Sequence, residues 1–530
     1  MKAAFQFSII VALFFFLFSC TPVKNPTNTN ILTGILIEKY PLANAQIILR
    51  DSNGIQLKTT SDYQGKYQFP LEGITPPITL SAVSNHNEQD CLDNTKLRPV
   101  CMTTFINSFP KVGPVIGNIN PLTDRIASDI AVSKDFIGPQ QWIMKSDNFI
   151  VEDESLQKAL NPMRNSFYNA LKLSDVEDPD NFNPATYPIK PSGKLAQLFS
   201  LVHHNRNYDN NTGAPGHTTL TDISFRPIVG LMTTGAYESF DLHRAQKERT
   251  DINQAAQRIF IVGDSTSAVY EQLRYPRMGW GQKFEEQFIA DARIKVIVGS
   301  RAGRSSRDFY NGRWFAQMEE FIEPGDYIFI NHGHNDQNCN SAKPIRGAAD
   351  VKNLCTYPND VDGKPQFPPG SPELSFQHSL ERYIRIARER GAHPVLFTPT
   401  TRILDKDGKQ TTPVAPSHVT RQNDQQGYLF TGSYTQTIKD TARLNNVPLI
   451  DLEAASIRFA NDVGTPGWQK YWLVVDPAVN SFYANGVAGS VQAPDGTHFQ
   501  EKGAEAIARL VADEIMRASE LSNLKSYLKP

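Results

Sequence analysis

Charge of one sign is what the sequence most plainly lacks. Its 53 Lys and Arg stand against 55 Asp and Glu, a formal net charge of −2. Without the basic excess that a phosphate backbone demands, no nucleic-acid partner is expected. Cysteine is scarce, with 5 in 530 residues, and none is spaced C-x-x-C, which argues against a thiolate metal site. No internal repeat with a period of about 20 to 50 residues is evident, which sets aside solenoids and propellers. Nor is the chain polar and aromatic-poor like a disordered protein, since 40% of its residues are apolar and 10% aromatic. At about 150 residues per domain, this length implies several domains.

One apolar run stands out, Ala3 to Phe18, behind Lys2. It is too short and too close to the terminus for a membrane span and reads as a secretory signal, residues 1–19. Leu17-Phe18-Ser19-Cys20 closes it with a small residue before cysteine, which resembles the lipobox of bacterial lipoproteins. That resemblance implies a diacylated Cys20, and Thr21 in place of Asp implies an outer-membrane destination, periplasmic or surface-facing, in a two-membrane host. The alternative is an ordinary cleaved signal with an incidental cysteine. Residues 20–30, rich in Thr, Asn and Pro, suit a flexible tether. The other cysteines fall into two close pairs, Cys91 with Cys101 and Cys339 with Cys355. An even remainder in an oxidising compartment favours two local disulfides.

Three regions follow. In 31–112, short runs such as Ala45 to Arg50 and Lys66 to Phe69 are separated by the turn clusters Asp51-Ser-Asn-Gly54 and Asp62-Tyr-Gln-Gly65, which predicts a small β-sandwich. It resembles the carboxypeptidase-regulatory or transthyretin-like modules of exported bacterial proteins, which implies a spacer or a weak binding unit. Region 113–255 is expected to be mostly helical, with Asn120 as an N-cap before Pro121 and a helical pattern over Glu154 to Leu173. Ser174 to Thr219, rich in Pro, Asn and Asp, predicts long loops, and His203-His204 within it reads as surface polarity. Region 256–530 alternates aliphatic runs (258–262, 294–298, 327–331, 394–397 and 447–450) with helical patterns over 280–290, 314–322, 374–390, 433–445 and 501–519. That is a doubly wound α/β domain around a parallel sheet.

Ligands of open α/β sheets bind beyond the carboxyl ends of the strands. In a flavodoxin-like 2-1-3-4-5 order, the loops after the first three strands meet at one rim. They read Gly263-Asp-Ser-Thr266, Gly299-Ser-Arg-Ala-Gly-Arg-Ser-Ser306 and His332-Gly-His-Asn-Asp336. Asp495-Gly-Thr-His498 precedes the last helix and is expected on a turn. Ser265 needs a base to become a nucleophile, which His498 supplies while Asp495 holds its tautomer. The oxyanion then needs donors, here the backbone N–H groups of Ser265 and Gly303 and the amide of Asn335.

This ordered set resembles the SGNH (GDSL-type) hydrolase family over roughly residues 257–520, and its four named residues fall on Ser265, Gly303, Asn335 and His498. Thr266, Gly279-Trp-Gly-Gln282, Ala302-Gly-Arg-Ser-Ser306, Gly333-His-Asn-Asp336 and Asp495-Gly-Thr-His-Phe499 narrow the likeness to the rhamnogalacturonan acetylesterase branch. The resemblance implies a serine esterase that deacetylates a polysaccharide and needs no cofactor or metal. A broader GDSL-type lipase or esterase and a peptidoglycan O-acetylesterase are the alternatives within the class. Outside it stand a metal phosphoesterase built on His332, His334, Asp336 and Asp495, and a non-catalytic surface-binding lipoprotein. The insertion 337–372 and the aromatic-rich 464–491, with Trp468, Tyr471, Trp472, Phe482 and Tyr483, either wall a sugar-stacking groove or form a local core.

Overall fold

The structure, a computed structural model, describes residues 31–93, 96–111, 113–145, 151–208, 215–229, 237–337, 339, 354–420 and 429–530. The signal 1–19, the tether 20–30 and Cys20 lie outside the described residues. Strands β1 (Ile31–Ile35), β2 (Ala45–Arg50), β3 (Gln56–Thr60), β4 (Lys66–Pro70), β5 (Ile78–Ser84), β6 (Cys101–Ile106) and β7 (Val115–Ile116) form two sheets, ordered β4-β1-β7 and β3-β2-β5-β6. The acidic turn residues organise the hairpins: Asp51 Oδ1 accepts the N–H groups of Asn53 and Ile55, and Asp62 Oδ1 those of Gln64 and Lys66. Leu32, Ile47, Leu49, Phe69 and Leu80 fill the space between the sheets. Cys91 and Cys101 are bonded, as are Cys339 and Cys355.

Helix α1 (Pro121–Ser133) starts at Asn120, whose side chain accepts from the N–H groups of Leu122 and Thr123. Helices α2 (Pro139–Lys145), α3 (Asp153–Leu173) and α4 (Lys194–Phe199) follow. The region is less helical than expected, because β8 (Val202–Tyr208) and β9 (Pro215–Asp222) make an antiparallel hairpin where long loops were predicted. His203 and His204 are buried rather than exposed. His203 packs against Phe225, and His204 is held by Asp124 on α1, fully buried, whose carboxylate meets His204 Nε2 at 2.7 Å, Arg206 Nη2 at 2.5 Å, Thr218 Oγ1 at 2.6 Å and the Thr103 N–H at 2.7 Å. A buried carboxylate must gather donors, and it draws this strand inward.

After α5 (Leu242–Gln254) comes the α/β unit. Its strands are β10 (Gln257–Gly263), β12 (Ile294–Val298), β13 (Tyr327–Asn331), β14 (His393–Phe397) and β15 (Leu449–Ile450), and β11 (Arg277–Met278) lies outside the sheet. The five are parallel in the order β12-β10-β13-β14-β15, which is the 2-1-3-4-5 order. Alternate residues serve opposite faces. Phe260, Val262, Ile328 and Ile330 enter one core, and Ile259, Ile261, Phe329 and Val395 enter the other. Helices α6 (Ser306–Asn311), α7 (Ala316–Glu319), α8 (Phe376–Glu389), α9 (Tyr434–Leu444), α10 (Leu452–Val463) and α11 (Glu501–Arg517) flank the sheet.

Two expected helices fail. Over 280–290 there are short 3-10 turns instead. Trp280, Phe284 and Phe288 carry the helical spacing and pack ring to ring. Gly279 and Gly281 weaken the helix, and Gln282 Oε1 takes the N–H groups of Tyr270 and Gly279 instead. Over 314–322 only Ala316–Glu319 is helical. Conversely α10 was not predicted, although Asp451 caps it through the Ala454 N–H.

The first apolar core does not stop at region boundaries. It runs from Ile35, Ile37 and Phe105 of the sandwich through the helical region to Phe260 and Val262 of the sheet. The segment 309–322 is the seam. Arg98 donates to the carbonyls of Asn311 and Gly312. Lys39 Nζ reaches Gln317 O at 3.2 Å and Glu320 at 2.9 Å, and Gln317 Nε2 donates to His204 O at 2.6 Å. Among the described residues no helix is long and apolar enough to cross a membrane.

Candidate active site

The loop after β10 carries Ser265, whose side chain meets His498 Nε2 at 2.8 Å. His498 Nδ1 lies 2.6 Å from Asp495 Oδ2. Asp495 Oδ1 in turn accepts the N–H groups of Thr497 at 2.8 Å and His498 at 3.2 Å. Asp495 and His498 do not sit on a free turn: Asp495–Gln500 is a strand, β17, paired antiparallel with β11 and with β16 (Trp472–Leu473). This pairing places the His498 ring against the Ser265 hydroxyl.

Burial lowers the pKa of His498, and the Arg277 guanidinium adds to the effect, while Asp495 opposes it. Its ring is therefore available as a neutral base near pH 7. Burial works against ionisation of Asp495, but the hydrogen bond and charge of His498, the Thr497 N–H and Arg277 outweigh it and hold that carboxyl well below the usual range. Tyr270 OH donates to the Ser265 carbonyl at 2.7 Å, and Arg277 Nη2 donates to Tyr270 OH at 3.2 Å.

The three loops are stitched together. The Arg301 N–H donates to Gly263 O at 3.0 Å, and Ser267 Oγ bonds Ser300 Oγ at 2.8 Å, which ties the second loop to the first. Ser306 donates its N–H and its hydroxyl to Asp336 Oδ1, each at 2.7 Å, and Asn335 Nδ2 lies 3.3 Å from Arg304 O, which ties the third loop to the second. Gly303 has φ +75, a left-handed position that suits glycine. Gly303 and Asn335 thus stand on loops bonded to each other and to the loop of Ser265.

The metal grouping is not brought together. Asp336 serves Ser306 and Asp495 serves His498. His332 packs against Phe309 and Tyr383, and His334 turns to Thr400 and His418. No cluster of three His, Cys, Asp or Glu able to hold an ion exists among the described residues. Of the aromatic-rich segment, Trp468, Trp472 and Tyr483 are buried, which favours the local-core reading for those three.

A model of the GDSL-like lipase/acylhydrolase family matches residues 261–506. A probable rhamnogalacturonan acetylesterase of Bacillus subtilis (strain 168), YesY, is 30% identical over 260 residues, which is 49% of this chain and 93% of that protein. The chain belongs to the GDSL-like lipase/acylhydrolase family. This GDSL-family serine esterase is also 28% identical to the rhamnogalacturonan acetylesterase RhgT of the same strain, over 49% of this chain and 89% of that protein. A rhamnogalacturonan acetylesterase of Emericella nidulans is 28% identical over 34% of this chain and 70% of its own length.

Beyond the residues expected from sequence, the candidate site of this GDSL esterase brings in Tyr270 and Arg277. Both lie close to a motif in sequence, Tyr270 following Ser265 on its loop and Arg277 preceding Gly279-Trp-Gly-Gln282.

Proposed function

We propose that this serine esterase removes acetyl groups from an O-acetylated polysaccharide of the pectin or rhamnogalacturonan type. The observation that carries the reading is the hydrogen-bonded series Ser265, His498, Asp495 at 2.8 and 2.6 Å. The naming of its relatives as rhamnogalacturonan acetylesterases supports the choice of substrate.

In this mechanism Ser265 Oγ attacks the acetyl carbonyl carbon while His498 Nε2 takes the hydroxyl proton. The negative charge that develops on the carbonyl oxygen is met by the N–H groups of Ser265 and Gly303 and by the Asn335 amide. Collapse breaks the ester C–O bond, and the His498 proton goes to the departing sugar oxygen. Water then attacks the acetyl-serine with His498 again as base, and acetate leaves with Ser265 restored. Asp495 stays ionised throughout and stabilises the imidazolium.

Acetate release from acetylated rhamnogalacturonan, xylan and peptidoglycan decides the substrate. Preference for xylan or peptidoglycan would overturn the pectin reading. Ser265→Ala should fold normally and retain less than about 1% of wild-type turnover on an aryl acetate, given the usual cost of losing a triad member. Higher retained turnover would remove Ser265 as nucleophile. Export with a lipid anchor on Cys20 is part of the same proposal, and two disulfides are in keeping with export. Wild type should sediment with membranes and Cys20→Ser should not be processed as a lipoprotein; equal solubility of the two would refute the anchor.

A further inference from the structure

Behind the Asn335 loop runs a buried polar chain that the mechanism above does not use. The ring of His334 places Nδ1 3.2 Å from His418 Nε2 and Nε2 3.2 Å from Thr400 Oγ1. His418 Nδ1 meets Glu453 Oε1 at 2.5 Å. All four residues are buried. His418 comes from the connection between β14 and α9, and Glu453 from the first turn of α10.

With both rings neutral, only one proton arrangement satisfies the whole chain. A carboxylate only accepts, so His418 Nδ1 donates to Glu453 and its Nε2 must accept. His334 Nδ1 then donates to His418, which leaves its Nε2 to accept the Thr400 hydroxyl. Neutrality is what burial favours, since it lowers the pKa of each ring. The main chain of His334 is held as well. Its carbonyl accepts from Arg402 Nη2 at 3.2 Å. Asn335 is the next residue, so the tether on ring and backbone bears directly on where its amide is aimed.

We infer that His418 and Glu453 are positioning residues for ester hydrolysis: by fixing the tautomer and orientation of the His334 ring, they hold the loop that presents the Asn335 amide to the oxyanion. The inference rests on the reading of Asn335 as an oxyanion donor. A purely structural role would alter stability, whereas a positioning role must be spent through Asn335 and vanish when that amide is gone.

The test is a double-mutant cycle on an aryl acetate. Glu453→Leu removes the acceptor and frees His418 to carry its proton on Nε2, donor against donor with His334. Glu453→Gln keeps an acceptor oxygen. Glu453→Leu should lose about 10- to 100-fold in kcat with KM within about twofold, the scale of a small misplacement of a catalytic group. Glu453→Gln should return to within about threefold of wild type. In the Asn335→Ala background, Glu453→Leu should cost no more than about threefold further. If Glu453→Leu does not give the wild-type circular dichroism spectrum, His418→Gln takes its place in the cycle with the same expectations. Independent, multiplying losses, an effect confined to KM, or an unchanged kcat overturns the positioning role. A near-normal kcat in Asn335→Ala alone would instead overturn the oxyanion reading beneath it.

Discussion

Replacing Asp495 with asparagine changes almost no volume and should nonetheless nearly silence the enzyme. The carboxylate serves two masters: Oδ1 takes the backbone N–H groups of Thr497 and His498, and Oδ2 takes His498 Nδ1 at 2.6 Å. An amide keeps one acceptor oxygen. The backbone donors claim it, which turns the amide NH2 toward Nδ1. Nδ1 must then accept, the ring proton moves to Nε2, and the lone pair meant for the Ser265 proton is lost. The charge is lost as well. With charge centres ~4 Å apart and an effective dielectric of about 20, the carboxylate holds the imidazolium by about 4 kcal/mol. That alone is about a thousandfold in rate. Together the two faults should lower kcat by about 10³- to 10⁴-fold, with KM little changed. Steady-state kinetics on an aryl acetate, beside a thermal melt, measures it. A folded Asp495→Asn enzyme within about tenfold of wild-type kcat would refute the reasoning.

Two further outcomes follow from burial and close approach. His332 is fully buried and desolvation pushes its pKa down to about 3. Between that value and about pH 6.5 the unfolded chain binds a proton that the native ring refuses, so stability must fall as pH falls, by about 2 kcal/mol at pH 5 from this residue. Urea midpoints at pH 7 and pH 5 measure the loss, and His332→Phe should reduce it; identical pH dependence in both proteins refutes the assignment. A Cβ on Gly279 would lie 2.3 Å from Ala268 O and 2.4 Å from the Ser267 carbonyl carbon, too close for either to remain in place. Gly279→Ala should therefore displace the Ser265 loop and cost at least about tenfold in kcat; unchanged kinetics would mean the loop yields freely.

Legibility tracked the range of the interactions. The sheet strands were readable because parallel strands buried on both faces are uninterrupted aliphatic runs, as in Arg258-Ile-Phe-Ile-Val262. Ser265, Gly303 and Asn335 stand in the motif loops after β10, β12 and β13 as the alternation of strands implies, whereas His498, expected on a turn, lies within β17. Failures arose where a distant partner decided the outcome. Nothing near His204 announces Asp124, 80 residues away. Nothing near His418 announces Glu453 or His334, 35 and 84 residues away. The Trp280, Phe284, Phe288 spacing was true to its packing but not to its backbone, because short 3-10 turns place those rings as well as a helix would.

The seam at 309–322 makes the esterase a poor candidate for transplantation. This segment continues directly from the loop that carries Gly303 and Ser306, yet much of its hydrogen bonding goes to Lys39, Arg98 and His204, contributed by the first half of the chain. A scissor cut at residue 256, the natural place to trim by motif, would leave those carbonyls and the Gln317 amide without their counterparts. It would also bare the apolar wall formed by Phe309, Trp314, Phe315 and Met318. A graft of the hydrolase onto another carrier should therefore take the preceding sandwich and helices with it.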